Sequence, residues 1–304
     1  VLVWLKLLKM LKVSGYLQGQ YQIADSSGIS SYSGGNFPTG SDKRFAVRRG
    51  RVKFTFANKL SQLVTQFDIT EKGVSTKDAY LVFKEPIFEW TSFKVGVFDR
   101  FFGNEITYSS SSRESPERGR MSQILFPGER DCGAAIIINP PKTSPYNFLK
   151  LEMGMFNGTG IASDFDKQKD FIARLSLLRA TTNQKIKYGV GASYYKGGWI
   201  QSSPTYYKRI EQLANGTYAF VKNTNIETGM LATRYYKGVD AQFSFDGPLG
   251  MTTIRGEFIN GIQPGTSNSS VSPATLPSST SNIISGNASG TINIPANSSD
   301  TSIN

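Results

Sequence analysis

Histidine is absent from the 304 residues, and cysteine occurs once, at Cys132. The first absence excludes Ser-His-Asp and Cys-His nucleophilic catalysis and the imidazole-based zinc sites. The second excludes an internal disulfide, and Cys132 reads as a small residue near a strand start. No apolar stretch reaches the ~18 residues of a membrane-spanning helix. Hydrophobic residues make up only 38%, below the usual globular share, yet aromatics reach 12% through 20 Phe and 14 Tyr. A β-barrel in a membrane has this balance, because only alternate strand residues meet lipid and aromatic side chains gather at its rims. A soluble β-sandwich or solenoid gives similar totals, so the decision falls to patterning.

Acidic residues are also in deficit. Lys plus Arg number 34 against 23 Asp plus Glu, a net charge of +11. Such a balance suits anionic lipid, anionic solutes or nucleic acid. The basic residues lie along alternating positions rather than in one cluster, and no nucleic-acid module is present, so nucleic acid is not an expected partner. The acid pairs Glu114/Glu117 and Asp164/Asp166 are not fixed opposite one another by any motif. Neither enzymatic activity, nor a metal, nor a cofactor is expected.

What is present is alternation. In 45–69, Arg49, Arg51, Lys53 and Thr55 share one parity, while Gly50, Val52, Phe54 and Phe56 share the other. After an Ala57-Asn58-Lys59 turn, Gln62, Gln66 and Asp68 oppose Leu63, Phe67 and Ile69. Each run is about ten residues, the length of a tilted membrane-crossing strand. The unit recurs at 17–23, 77–84, 92–99, 133–139, 148–157, 170–179, 185–195, 235–245 and 251–260, giving eleven strands. Tight turns near 58, 87, 142, 182 and 248 alternate with longer loops at 25–44, 70–76, 100–131, 158–169 and 197–230. That sorting is expected of an outer-membrane barrel, with short turns on one side and long loops on the other. The expected fold is therefore all-β, an antiparallel transmembrane β-barrel with its charged parity lining a wet lumen and its apolar parity facing lipid.

Three regions follow. Residues 1–12 space Lys6, Lys9 and Lys12 among leucines and read as a basic amphipathic stub. Residues 13–260 hold the strands, with 100–131 the longest early insertion. Residues 261–304 are Ser, Asn and Thr-rich and read as a low-complexity outer loop or tail. Bacterial barrels have even strand numbers, so eleven strands ending on the outer side carry the expectation that the sequence stops within an outer loop.

The candidate selectivity row on the wet parity is Arg49, Arg51, Lys53, Lys94, Lys150, Arg174, Lys185, Lys187 and Arg255, with Asp68, Asp78, Glu152, Asp170, Asp240 and Glu257 as compensating acids. Rings of Lys and Arg favour anions in pores. Within the long insertion, Arg100, Arg113, Arg118, Arg120 and Arg130 face acids that include Glu114 and Glu117. Arg113, Arg118 and Arg120 read as ties that hold the loop folded.

Several segments together resemble one family: Phe45-Ala-Val-Arg-Arg-Gly-Arg-Val-Lys-Phe54, Thr76-Lys-Asp-Ala-Tyr-Leu81, Lys94-Val-Gly-Val-Phe-Asp99, Glu117-Arg118, Pro127-Gly-Glu-Arg-Asp-Cys-Gly133 and Thr253-Ile-Arg-Gly-Glu-Phe-Ile-Asn-Gly261. In order and spacing they resemble the phosphate-selective porin O and P family, in its Bacteroidetes form. The resemblance implies an outer-membrane porin of about sixteen strands, commonly a homotrimer, with 100–131 folded inward as a constriction. It departs from the family in having no Lys between Lys94 and Lys142, where phosphate-selective members carry lysines. The expected function is passive diffusion of small polar solutes, with the weak anion preference expected from the positive tilt of the Lys and Arg row. Two other readings stand beside it: a plugged barrel serving as anchor or partner in an envelope complex, and a soluble β-rich binding protein.

Overall fold

A computed structural model describes residues 10–200, 206–223, 231–263 and 292–294, apart from 30, 32, 213, 215, 217 and 249. Eleven strands form one antiparallel sheet whose spatial order follows the order of those eleven strands along the chain. They are β1 (Leu11–Ile23), β2 (Lys43–Ala57), β3 (Ser61–Thr70), β4 (Gly73–Lys84), β5 (Thr91–Asp99), β6 (Arg130–Ile138), β7 (Leu149–Phe156), β8 (Asp170–Ala180), β9 (Ile186–Ile200), β12 (Leu231–Gly247) and β13 (Gly250–Ile262). A small separate sheet joins β10 (Tyr206–Gln212), β11 (Tyr218–Asn223) and β14 (Ile292–Ile294). Two short helices, α1 (Gly103–Thr107) and α2 (Arg120–Leu125), lie between β5 and β6.

The eleven-strand count holds, while several boundaries differ from the sequence reading. β6 begins at Arg130, which shortens the expected insertion 100–131 to 100–129, and β12 begins at Leu231 rather than 235. Leu11 and Lys12 belong to β1, paired with Phe56 and Thr55, because the alternation of β2 extends far enough to receive them; residues 1–9 of the expected amphipathic stub lie outside the described residues. The expected loop 70–76 is a two-residue turn, Glu71-Lys72, closed by Thr70 against Gly73. Gly73 has φ +119, which a side chain would resist and a tight hairpin uses. Segment 197–230 is not one loop: β9 runs on to Ile200, and the hairpin β10–β11 follows. β13 continues to Ile262, and most of the expected low-complexity tail lies outside the described residues. Connections 58–60, 85–90, 139–148 and 181–185 and the end of β12 are on one rim, and those at 71–72, 100–129 and 157–169, with the end of β1, the end of β9 and the start of β12, are on the other. The sorting of short from long therefore fails only at 71–72.

The two faces have opposite chemistry. Cross-strand register places Ile138, Leu151, Leu175, Ala192, Val239 and Phe258 in one continuous row on the outer face. Adjacent positions inside β3 show the contrast: Leu63 is 44% exposed and Val64 is 0%. Flat, ten strand spacings would span about 48 Å. Yet Tyr108 in the 100–129 connection reaches Arg255 on β13, 3.1 Å away, while Ser110, two residues on, reaches Tyr16 on β1 at 2.7 Å. Two residues cover at most ~7 Å. The sheet is bent around that connection, bringing its two ends within side-chain reach of one segment. Among the described residues β1 and β13 do not pair with each other, so the wall is curled but not closed.

Candidate functional site

The concave face is occupied by the 100–129 connection. Phe101, Phe102, Ile106 and Phe126 from this loop are buried against Phe98, Phe156, Ile172, Tyr195 and Tyr236, which project inward from β5, β7, β8, β9 and β12. The rings pack edge-on or tilted: Phe102 lies 5.0 Å from Phe126 and 6.1 Å from Tyr236, and Phe101 lies 5.4 Å from Phe156. Room for them comes from inward glycines. A Cβ on Gly154 would stand 3.0 Å from the Phe101 ring, and one on Gly238 would stand 2.9 Å from Phe102. The result is a dry aromatic block inside a face that alternation marks as polar. Sequence reading missed it because its wall residues share a parity with Arg and Asp; the Phe101-Phe102 pair inside a long polar loop was the available signal.

Beyond that block the loop is held by charge. Glu117 accepts from Arg48 and Arg49, the Arg49 contact being 3.1 Å. Arg49 also donates to the Pro116 carbonyl and to Gln18, both at 2.7 Å. Arg48 is the extra residue of a β-bulge, where the register passes from Gln18↔Arg49 to Gly19↔Val47. Lys77 is the corresponding extra residue on β4, where Gln66↔Asp78 gives way to Phe67↔Thr76. A bulge re-aims a side chain against strict alternation. Both cations consequently line the same cleft of about 200 Å³ beside Glu117 and Glu129, a placement that period-two counting hid.

Near β13, Glu257 accepts from the backbone N–H groups of Asn104 and Glu105, 3.0 Å each, and its carboxylate lies where a Gly103 Cβ would fall. Gly103 has φ +62, so both conformation and space require glycine there. Arg255 donates to Glu114 at 2.9 and 3.0 Å.

The other expected site residues fall into three groups. Arg51 is within 3.6 Å of Asp68 and donates to Ser110 at 2.5 Å; Arg174 grips Asp240 through both terminal nitrogens at 2.5 and 2.9 Å; Lys150 pairs with Glu152 at 2.7 Å. Lys94 has its ammonium 4.0 Å from the Tyr80 ring centroid and 4.3 Å from that of Phe98. Lys53 lines the lumen cleft, Lys187 is exposed near the short-turn rim, and Lys185 lies within the 181–185 turn.

Within the loop, Arg118 donates to the carbonyls of Glu105, Ile106 and Tyr108 and pairs with Glu129. Arg113 binds the Ser115 and Pro116 carbonyls, and Arg100 binds those of Glu129 and Pro127. Arg130 bridges Asp78 at 3.0 Å, Asp99 at 3.1 Å and Glu129 at 2.5 Å. Arg120 opens α2, is exposed and has a partner of its own. Burial pushes the Glu129 carboxyl up, but Arg118 and Arg130 hold it below its ordinary value overall. Arg234, which sequence reading left out, is buried on β12 and pairs with Asp170 beneath Tyr195.

Two water-accessible cavities flank the aromatic block. One, of about 410 Å³, lies between Thr107–Ser111 and β1–β3; the other, of about 390 Å³, is bordered by Lys94, Lys150, Arg174 and Gln242. Polar space thus persists on both sides of a loop that otherwise fills the trough.

No protein-family model and no curated protein sequence matches the chain. Among solved structures, two variants of the porin of Rhodopseudomonas blastica are similar to it. One has 11% sequence identity and a TM-score of 0.31, the other 10% and 0.29, and both comparisons cover 83% of this chain and 100% of the porin. At TM-scores this low, the functional reading rests on the chain's own geometry.

Proposed function

We propose that this chain forms the wall and constriction of a bacterial outer-membrane diffusion channel for small polar solutes, with weak anion preference and no enzymatic activity. The observation that carries the proposal is inverted exposure. Arg49, Arg51, Arg174 and Asp240 are less than 9% exposed, while Phe54, Phe93, Leu175 and Val239 range from 38% to 57%. In water this arrangement would leave a continuous greasy exterior, which monomeric soluble proteins avoid. In a bilayer it is the stable one, since the outer row meets hydrocarbon and each paired strand satisfies the backbone groups of its neighbour. Lysines with no ion pair among the described residues, such as Lys53 and Lys94, support the anion preference, and Lys185 and Lys187 add positive charge near the short-turn rim. The likeness of 45–54, 94–99 and 253–261 to the phosphate-selective porin O and P family supports the channel class and a homotrimer.

The aromatic block favours a second reading, a plugged barrel that anchors an envelope complex. Purified protein in planar lipid bilayers distinguishes them. The channel reading expects stepwise, ohmic conductance in KCl. Protein that inserts and stays silent overturns it in favour of the plug.

A further inference from the structure

We infer that the cavity between the loop's hydroxyl run and β1–β3 is a subsite for a neutral polyhydroxylated solute, a sugar or polyol; this rests on the channel reading above. Thr107 to Ser112 are consecutive hydroxyl-bearing residues, and Thr107 to Ser111 line the ≈ 410 Å³ space. Tyr16, Ser14 and Gln66 face them from β1 and β3. Ser110 is fixed by Tyr16 at 2.7 Å and Arg51 at 2.5 Å, and Ser109 and Ser111 hydrogen-bond each other at 2.8 Å. The Thr107 hydroxyl donates to the Gly103 and Asn104 carbonyls, and that of Tyr108 is engaged by the Ser112 carbonyl and Arg255, so Ser109, Ser110 and Ser111 carry the site. Each of these serine hydroxyls can both donate and accept, which matches a solute whose every polar group does the same. The volume falls in the range of small-ligand cavities, about 300–1,000 Å³.

Charge decides against an anionic occupant. The lining arginines are already matched: Arg51 by Asp68, Arg130 by Asp78 and Asp99, and Arg118 by Glu129. A phosphate would have to displace carboxylates from these pairs, Asp68 and Asp78 among them buried, which costs more than it returns. Among the described residues Lys53 is the lining cation without an ion pair, and one ammonium is a weak claim on a dianion. The matched pairs instead present fixed donors and acceptors, with the Tyr16 ring beside them.

The test measures ion current through the full chain in planar bilayers while maltose, or inorganic phosphate at constant ionic strength, is added. Saturable reduction of current by maltose, with phosphate changing only bulk conductivity, is expected. A Ser109→Ala/Ser111→Ala double variant should raise the half-blocking maltose concentration about threefold to tenfold. Tyr16→Phe, which keeps the ring and frees Ser110, should raise it in the same direction, while Ser112→Ala, outside the lining, should leave it unchanged. Saturable block by phosphate but not maltose overturns the inference, as does maltose block that neither lining variant moves. A silent protein defeats the channel reading instead. Calorimetric titration with maltose in a zwitterionic detergent then decides the subsite: saturable heats weakened by the lining variants uphold it, and their absence overturns it.

Discussion

Leu175→Arg separates a lipid-facing wall from a wet one. Leu175 is the central residue of β8, points outward at 44% exposure, and stands in register with Leu151 and Ala192. If that face meets water, a surface substitution changes stability by no more than about 0.5 kcal/mol. If it meets hydrocarbon at mid-depth, the guanidinium costs about 2–4 kcal/mol. At ~1.4 kcal/mol per tenfold, that is about 30-fold to several hundred-fold in the folding constant. Urea unfolding in phospholipid vesicles, followed by tryptophan fluorescence, resolves the two. Two inward controls belong beside it. Lys187→Gln, exposed near the short-turn rim, should stay within about 0.5 kcal/mol. Arg174→Leu leaves Asp240 buried without its two hydrogen bonds and should cost about 3–5 kcal/mol. A Leu175→Arg variant as stable as wild type, soluble without detergent, would falsify the inside-out assignment.

Phe126→Ala removes a ring packed against Phe102, Tyr195 and Tyr236, at a cost of about 3–5 kcal/mol. Higher conductance and new proteolytic cleavage within 100–129 are expected; unchanged values for both would mean the block does not hold the loop. Replacing Arg49, Arg51 and Lys53 together by Gln should shift the reversal potential in a KCl gradient toward cation selectivity, and an unmoved potential removes them from the selectivity row. Glu129 has its carboxyl held below the ordinary value, so its contribution is complete above about pH 4.3 and declines as pH falls through the lower, folded value. Conductance should therefore hold steady down to about pH 4 and change below it. Glu129→Gln should flatten that acid limb; an identical limb in the variant assigns the titration elsewhere.

Period-two alternation carried most of the wall. Strand number, the outward row through Leu175 and Val239, and the acids opposite the cations were all legible, because a pleated strand turns every second side chain to the same face. The Arg51–Asp68, Lys150–Glu152 and Arg174–Asp240 pairs joined residues that had already been set on one parity. Composition had excluded histidine-based chemistry before any fold was considered. The turn at Glu71-Lys72 and the extension of β9 to Ile200 escaped that reading, since local polarity marks a loop equally well whether its backbone pairs or not.

Tertiary structure alone decided what fills the trough. Bulges at Arg48 and Lys77 break the alternation by one residue, and nothing in the side-chain order announces where. The Phe101/Phe102/Phe126 block joins residues of one loop to rings on five different strands, contacts set by curvature rather than by spacing along the chain. Alternation states which way a side chain points, but it carries no information about what the chain later places in front of it. For the same reason Arg49 and Arg51 could be assigned to the concave face from sequence, while their burial under the loop tip depended on the path taken by residues some sixty positions away.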